Sequence, residues 1–155
     1  MTSREKRKRE KQQWIVKFTD KVKKHHPRSA GKIVEKILKR CDGSKNSMIV
    51  RSNKIGVPCT VTADELRQLV YEHYGEPCKY CGRTLTLPVM AFDHVVPMSK
   101  GGHSTLSNLQ VICRTSNNMK GSLKEENFFI LLSWLQTVSE ELRKDISIRL
   151  ARGIH

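Results

Sequence analysis

Asp93 and His94 are adjacent residues whose side chains could activate water beside a metal ion. A carboxylate is a hard oxygen ligand that suits divalent cations. An unperturbed imidazole titrates near pH ~6.5 and can take a proton from water at cellular pH. Because neighbouring residues in a regular strand point to opposite faces, both side chains can serve one site only where the strand is broken. Pro97, three residues beyond His94, is consistent with such a break.

Polar residues that can support this pair follow downstream. Asn108 precedes a second apolar segment, and its amide can pin a neighbouring loop through hydrogen bonds to the backbone. Asn117 and Lys120 share one face of a predicted short helix, where an amide oxygen can complete a cation shell and an ammonium can hold a phosphate. A basic Ser-Lys-Gly-Gly-His turn offers Lys100 as a phosphate contact. His103 in this turn either contacts phosphate as well or simply lies in solvent.

A Cys-x-x-Cys pair, Cys78 and Cys81, has the form of a zinc knuckle. Structural zinc takes four tetrahedral ligands, and a second pair is expected downstream. Cys113 begins such a pair, but its last position is Ser116, whose hydroxyl is a poor zinc ligand. Three outcomes stay open: another cysteine or a histidine supplies the fourth ligand, water fills it, or packing holds the knuckle without metal. The two other cysteines are Cys41 and Cys59.

Residues 78–121, which are 44 of the 155 residues, resemble the HNH endonuclease family, whose fold is the ββα-metal finger. The resemblance implies that His94 is the general base and that Asn108 holds the loop bearing it. It also implies that Asp93 and Asn117 bind a catalytic Mg2+ or Mn2+ ion. Asn in place of the last His is a common variant that keeps an oxygen ligand. Ser116 departs from the pattern of the zinc-binding members.

The resemblance further implies the reaction and its setting. A DNA phosphodiester bond is hydrolysed to leave 5′-phosphate and 3′-hydroxyl ends, and any structural zinc only shapes the finger. Small free-standing members of the family occur as phage homing enzymes, as partners of the packaging machinery and in defence systems. By analogy, we expect a phage or mobile-element protein of low sequence specificity that acts in the cytoplasm of a bacterial host.

The surrounding chain must position these residues within a fold predicted as α+β. A length of 155 residues suits one domain with appended segments, so a multi-domain enzyme is not expected. The fold predicted is an HNH finger flanked by N-terminal basic helices and a C-terminal amphipathic helical segment. The predicted segments are a basic helical DNA-binding arm at 1–45, a linker at 46–61, a nuclease core with a lead-in helix at 62–122, and a C-terminal helical segment at 123–155.

Apolar spacing and capping residues set the expected helices and strands. Apolar residues recur at helical spacing over 3–25 and again over about 30–41, where Ser29 can act as the cap. Residues 42–61 are rich in Gly, Ser, Asn and Pro and are predicted to be irregular. Thr62 and Glu65 have capping-box spacing at the start of the lead-in helix, which should end at Gly75.

The remaining elements lie on either side of the predicted site. Residues 87–96 and the segment after Asn108 are expected to be strands. Ser122 and Glu125 repeat the capping-box spacing before one long C-terminal helix or two shorter ones. This region has apolar residues beyond one helical face, which indicates either deep burial or a homodimer contact. Those residues are Phe129, Ile130 and Trp134.

The charge of the chain is concentrated at its N-terminus. The formal net charge is +14, and residues 1–40 carry 15 basic and 4 acidic side chains, so 15 − 4 = +11 lies there. Lysines and arginines near phosphates release condensed counterions, so such an arm suits DNA. The predicted DNA contacts here are Arg7, Lys8 and Arg9. No apolar run approaches the ~20 residues of a transmembrane helix, so no membrane partner is expected.

Three functions compete for this sequence. The first is a DNA endonuclease that nicks or cuts duplex DNA. The second is a zinc-knuckle DNA-binding regulator that has lost catalysis. The third is a ribonuclease or RNA-binding factor, because a basic arm does not distinguish the two backbones.

Overall fold

Six α-helices and one two-stranded antiparallel sheet make up the regular structure of residues 2–153, the part of the chain that the structure describes. The structure is a computed structural model. It confirms the predicted α+β fold, while residues 1 and 154–155 of the two outer predicted segments lie outside the described range. The elements are α1 (Ser3–Lys23), α2 (Ala30–Ile55), α3 (Ala63–His73), β1 (Met90–His94), β2 (Leu109–Cys113), α4 (Arg114–Lys120), α5 (Glu125–Thr137) and α6 (Glu140–Ala151).

The two strands and α4 form the ββα unit. Strands β1 and β2 pair antiparallel, with Asp93 opposite Gln110 and His94 opposite Leu109. All five residues of β2 are buried, because α3 and α4 both contact it. Helix α4 follows β2 without a connecting loop, so Cys113 is both the last residue of the strand and the N-cap of the helix. This continuity fixes α4 against the end of β1.

Helices α1, α2 and α3 pack on one another and share their core with the sheet. Phe18 of α1 lies between Tyr71 of α3 and Tyr74 just beyond it, with ring centroids 5.8 and 5.5 Å away. Phe18 and Tyr74 are fully buried, and each buried aromatic side chain stabilises the fold through a large apolar area. The inner faces of the basic N-terminal helices are therefore core surfaces, while their charged faces meet solvent.

Helix α2 extends well beyond its predicted end. The prediction ended it near residue 41 and made 42–61 irregular, but α2 continues to Ile55, so only residues 56–61 of the predicted linker are outside a helix. Gly, Ser and Asn have low helix propensity, yet burial at helical spacing outweighs it here, since Cys41, Met48 and Ser52 all face the core. An ion pair between Arg67 of α3 and Asp42 of α2 also stabilises this part of the helix. The division of the chain into four segments stays a prediction.

Two of the predicted caps form and two do not. Thr62 and Glu65 make the predicted capping box, and Gly75 has the left-handed φ of +84° that ends the α3 region. Ser29 occupies the N-cap of α2 without a side-chain hydrogen bond. The Ser122–Glu125 box is wrong, because α5 begins at Glu125 and its carboxylate instead accepts hydrogen bonds from Lys79 and Tyr80, both at 2.6 Å.

The C-terminal segment is two helices that break at Val138 and Ser139. Of the two explanations for its extra apolar residues, deep burial is wrong: Phe129, Ile130 and Trp134 are 45%, 67% and 48% exposed. A homodimer contact stays a prediction. None of the helices within residues 2–153 is both long and apolar enough to cross a membrane.

The continuity of α2 predicts opposite effects for two glycines. Gly43→Ala should raise the free energy of unfolding by about 0.5–1 kcal/mol, because Gly43 lies inside the helix and an added Cβ meets no atom within 4 Å. Gly56→Ala, the matched control, should lower it by about 1 kcal/mol, because Gly56 caps the helix at φ +72°. Urea denaturation measures both. A Gly43→Ala variant that is no more stable than wild type contradicts a helix through this region.

Candidate active site

Asp93 and His94 lie at the end of β1 and line one cavity of about 290 Å3. They are 6% and 9% exposed. Strand β1 ends at His94, so the regular alternation of faces stops there and both residues contribute to the same cavity. Asn117 of α4 and Arg51 of α2 also line it. The structure thus brings together the predicted base, both predicted cation ligands and one arginine from outside the matched motif.

The Asp93 carboxylate is held by two side-chain donors. Gln110 donates to Oδ2 at 2.8 Å, and the Lys120 ammonium lies 3.2 Å from Oδ1 and 3.1 Å from Oδ2. Burial raises the pKa of Asp93, while these donors and the lysine charge oppose the rise. A carboxylate has about four acceptor directions, so the contacts within the described chain leave room at Oδ1 for a further ligand.

Lys120 has a different position from the one predicted. Its ammonium was expected at a phosphate, but the side chain is fully buried and also donates to the His94 carbonyl at 2.7 Å. The physical reason is the direct join of β2 to α4, which carries this residue under the end of β1. Lys120 therefore stabilises Asp93 and the end of β1 from within the protein core.

His94 is kept neutral by its surroundings. Its Nε2 lies 2.9 Å from the Ser104 hydroxyl, which lies 3.2 Å from the hydroxyl of Ser52 in α2. Both serines are fully buried. Burial, followed by the nearby positive charges of Arg51 and Lys120, lowers the pKa of His94 to about 4. The imidazole is thus in its proton-accepting form at neutral pH, and when Nε2–H donates to Ser104 its lone pair is on Nδ1.

Asn108 joins the two ends of the loop that follows His94. Its Oδ1 accepts from the Val96 amide at 2.9 Å, and its Nδ2 donates to the carbonyls of Val96 at 3.0 Å and His103 at 2.9 Å. Gly102 closes the same loop, because a Cβ there would lie 1.8 Å from the Val96 carbonyl oxygen. The loop conformation therefore depends on the Asn108 side chain and on glycine at position 102.

The other predicted DNA contacts do not line this cavity. Lys100 and His103 are exposed on the loop after His94, and Lys100 lines a neighbouring cavity with Lys124. The three predicted contacts on α1 are exposed as well, and Arg7 lines a cleft between α1 and α3. Their contact with nucleic acid stays a prediction. The other two predicted DNA contacts on α1 are Lys8 and Arg9.

The three motif cysteines form a second centre. The sulfur atoms of Cys78, Cys81 and Cys113 all lie within 4.8 Å of one another. The Ser116 hydroxyl is 3.3 Å from the Cys113 sulfur and 3.8 Å from that of Cys78, so this oxygen is the candidate for the fourth corner of the group. No other cysteine and no histidine of residues 2–153 joins this group, so of the three open outcomes only water at the fourth position or packing without metal is left. Cys41, for example, is buried in α2.

Hydrogen bonds favour a thiolate at Cys78. Burial raises the pKa of this thiol, but three backbone amides and the Ser116 hydroxyl outweigh it and lower the pKa to about 7. Burial raises the pKa of Cys113. A thiolate is the form that binds metal, so the knuckle is prepared to hold a soft divalent ion.

The two centres lie at opposite ends of the same strand pair. Cys113 pairs with Met90 at one end, and His94 pairs with Leu109 at the other, which is about 13 Å away at the rise of a strand. One end offers sulfur ligands and the other offers carboxylate and amide oxygens. These donor sets fit different ions: thiolates suit Zn2+, and Mg2+ or Mn2+ prefers oxygen.

Four residues of the site were not predicted. Arg51 and Ser52 belong to a segment predicted as a linker, and no local pattern marked them. Ser104 follows the glycine-rich turn, and Gln110 was noted only as part of the second strand. The strand signal could have identified Gln110, because its position opposite Asp93 follows once the two strands are paired.

The fold and the site define a ββα-metal finger: two antiparallel strands, a following helix, and an Asp-His pair at the end of the first strand. Residues 78–123 match the family model for HNH endonuclease. The chain therefore carries an HNH endonuclease domain, which confirms the resemblance found in the sequence and points to nuclease activity. No curated protein and no solved structure matches the chain.

The lowered pKa of His94 predicts a pH dependence of stability. The unfolded chain binds a proton near pH 6.5 and the folded protein near pH 4, so protonation favours unfolding between these values. The contribution of His94 is thus fully present above pH 6.5 and lost as the pH falls towards 4. In chelator, the free energy of unfolding of wild type should rise more steeply with pH over this window than that of His94→Gln. If the free energy of unfolding depends on pH in the same way for wild type and His94→Gln between pH 4 and 6.5, the lowered pKa of His94 is contradicted.

Proposed function

We propose that the protein is a divalent-metal-dependent endonuclease that hydrolyses phosphodiester bonds of DNA. The observation that carries the proposal is the single cavity in which neutral His94, the Asp93 carboxylate and the Arg51 guanidinium meet. A general base, a hard oxygen ligand and a cation for the phosphate are the groups that this hydrolysis requires. The HNH domain supports the same reaction class.

Each residue has a separate task in this mechanism. His94 takes a proton from the attacking water, and Ser104 holds the imidazole in the orientation for that transfer. Asp93 and Asn117 would hold Mg2+ or Mn2+, which when bound supplies stabilisation of the charge that develops on the phosphate and the leaving oxygen. Attack on phosphorus breaks the bond to the 3′ oxygen, so the products carry 5′-phosphate and 3′-hydroxyl ends.

The remaining site residues maintain this geometry. Lys120 contacts both oxygens of Asp93 and Gln110 donates to Oδ2, so the carboxylate keeps one orientation in a buried environment. Asn108 joins the ends of the loop that leads away from His94. A displacement of even about 1 Å at a reacting group can cost about 100-fold in rate, so we expect these positioning contacts to matter for turnover.

DNA is the substrate that the charge and the domain favour. The net charge of +14 and the exposed basic residues of α1 suit a phosphate backbone, and HNH domains belong to endonucleases. The basic arm would then grip duplex DNA while the finger cuts it. A phage or mobile-element origin, a packaging-machinery partner and a bacterial cytoplasmic location stay predictions by analogy.

Plasmid cleavage tests the proposal. Wild type with Mg2+ or Mn2+ should nick or linearise supercoiled plasmid, and His94→Ala should cut at least about 100-fold more slowly, because it lacks the general base. His73→Ala is the matched control, because His73 lies on α3, outside the cavity, and its Nδ1 lies 2.9 Å from the Leu69 carbonyl of the same helix. Chelator should abolish plasmid cleavage by wild type and by His73→Ala.

Two results separate the competing functions. Folded wild type that shifts DNA in a gel yet cuts with no metal ion would make the protein a DNA-binding regulator. Faster cleavage of structured RNA than of duplex DNA under the same conditions would make it a ribonuclease.

We also propose that the three cysteines bind structural Zn2+ with an oxygen ligand at the Ser116 corner. Ser116→Cys should then tighten zinc binding by roughly 100-fold, since even outer-shell changes alter metal affinity by ~10–100-fold. Chelator competition measures the affinity, and Co2+ substitution reports the change from three to four thiolates. Ser116→Ala is the control that adds no sulfur. Reduced wild type that binds no Zn2+ or Co2+ would leave packing as the explanation of the knuckle.

A further inference from the structure

A second groove runs along α2 beside the candidate active site. It encloses about 380 Å3 between α2 and the β1 residues Ala91 and Phe92. Arg51 and Phe92 line both this groove and the site cavity, so the two spaces adjoin each other at these side chains. The groove therefore leads away from Asp93 and His94 along the helix. The α2 residues that line it are Arg40, Gly43, Ser44, Ser47, Met48 and Arg51.

Helical spacing places the polar members of this set on one face. Arg40, Ser44, Ser47 and Arg51 follow one another at four, three and four residues, which is one stripe of an α-helix. The two arginines are 11 residues apart, or about 16 Å at the rise of a helix. Gly43, Ser44 and Ser47 between them are small, so a ligand can approach this part of the helix surface closely.

The positive charge of the groove is not compensated. Neither Arg40 nor Arg51 forms an ion pair with a carboxylate of residues 2–153, and the residues that line the groove include no acidic side chain. Arg40 is held in place by a 2.8 Å hydrogen bond from Nη2 to the Met90 carbonyl. Burial and the like charge of Arg114 both lower its pKa. Two arginines without carboxylate partners in the described chain therefore border the groove, and one of them, Arg40, is held in place by its hydrogen bond.

We infer that this groove binds the sugar-phosphate backbone of the DNA strand that is cut, on one side of the scissile phosphate. The inference rests on the proposed function. The ~16 Å between the two arginines is long enough to span a few consecutive phosphates of one DNA strand. Guanidinium groups bind phosphate in a bidentate manner, and serine hydroxyls donate to phosphate oxygens. The groove reads no bases, which agrees with low sequence specificity.

The salt dependence of DNA binding tests the role of the arginines. The full chain is titrated with a fluorescent DNA duplex in chelator, so that no cleavage occurs. Arg51→Gln should lower the slope of log affinity against log salt by about 0.9, and the double variant with Arg40→Gln by about 1.8. Arg149→Gln is the matched control, an exposed arginine of α6 that lines neither cavity, and its slope should equal that of wild type.

A second pair of variants leaves the hydrogen bond from Arg40 to the Met90 carbonyl in place. Ser47 is exposed on α2, so Ser47→Glu and Ser47→Gln should both fold, and they differ only by one negative charge in the groove. Ser47→Glu should bind the duplex several-fold more weakly than Ser47→Gln. It should also cleave more slowly at low DNA concentration and approach the Ser47→Gln rate at saturation. Melting curves verify that all variants are folded.

The outcomes separate this inference from the proposed function. Arg51 lines both spaces, so the groove is tested by the further loss of slope when Arg40→Gln is added and by the Ser47 pair. If wild type cuts DNA while Arg40→Gln adds no loss and the Ser47 pair is unchanged, the groove does not carry the strand and the nuclease proposal stands. If wild type binds DNA with the expected changes but cuts under no metal, the groove inference stands and the nuclease proposal falls. A folded wild type that neither binds nor cuts DNA overturns both.

Discussion

The buried Lys120 ammonium is the interaction on which the site depends. An ammonium removed from water costs several kcal/mol unless it is paired, and here Asp93 and the His94 carbonyl supply its partners. These contacts tie the end of α4 to the end of β1. They also oppose the protonation of Asp93 that burial favours. The position and charge state of the carboxylate thus depend on this buried cation together with the hydrogen bond from Gln110.

The strand pair separates two kinds of ligand chemistry within a small finger. Sulfur atoms gather where β2 ends and α4 begins, while oxygen atoms gather where β1 ends. Helices α2 and α3 pack on the sheet, and α2 adds Arg51 and Ser52 to the oxygen end. The part of the chain before the finger therefore supplies both the core and one wall of the site.

Local chemistry made the finger predictable, whereas long-range packing decided the rest. The Asp93-His94 pair, the cysteines and the Thr62 box each depend on residues close in sequence, and the sequence revealed them. The extent of α2 depends on buried contacts that override the low propensity of Gly43 and its neighbours. The same holds for Glu125, whose partners lie 45 and 46 residues away, and for Lys120, whose burial follows from the join of β2 to α4.

Gly102 divides the loop after His94 into a fixed base and an exchangeable tip. At the base, the Val96 carbonyl leaves no space for a side chain, and Asn108 ties both ends. At the tip, Lys100 is exposed and does not line the cavity of Asp93 and His94. New residues can therefore be introduced at the tip to redirect what the loop contacts while the water-activating geometry stays intact. In this finger, the residues that select what the loop contacts are therefore separate from the residues that activate water.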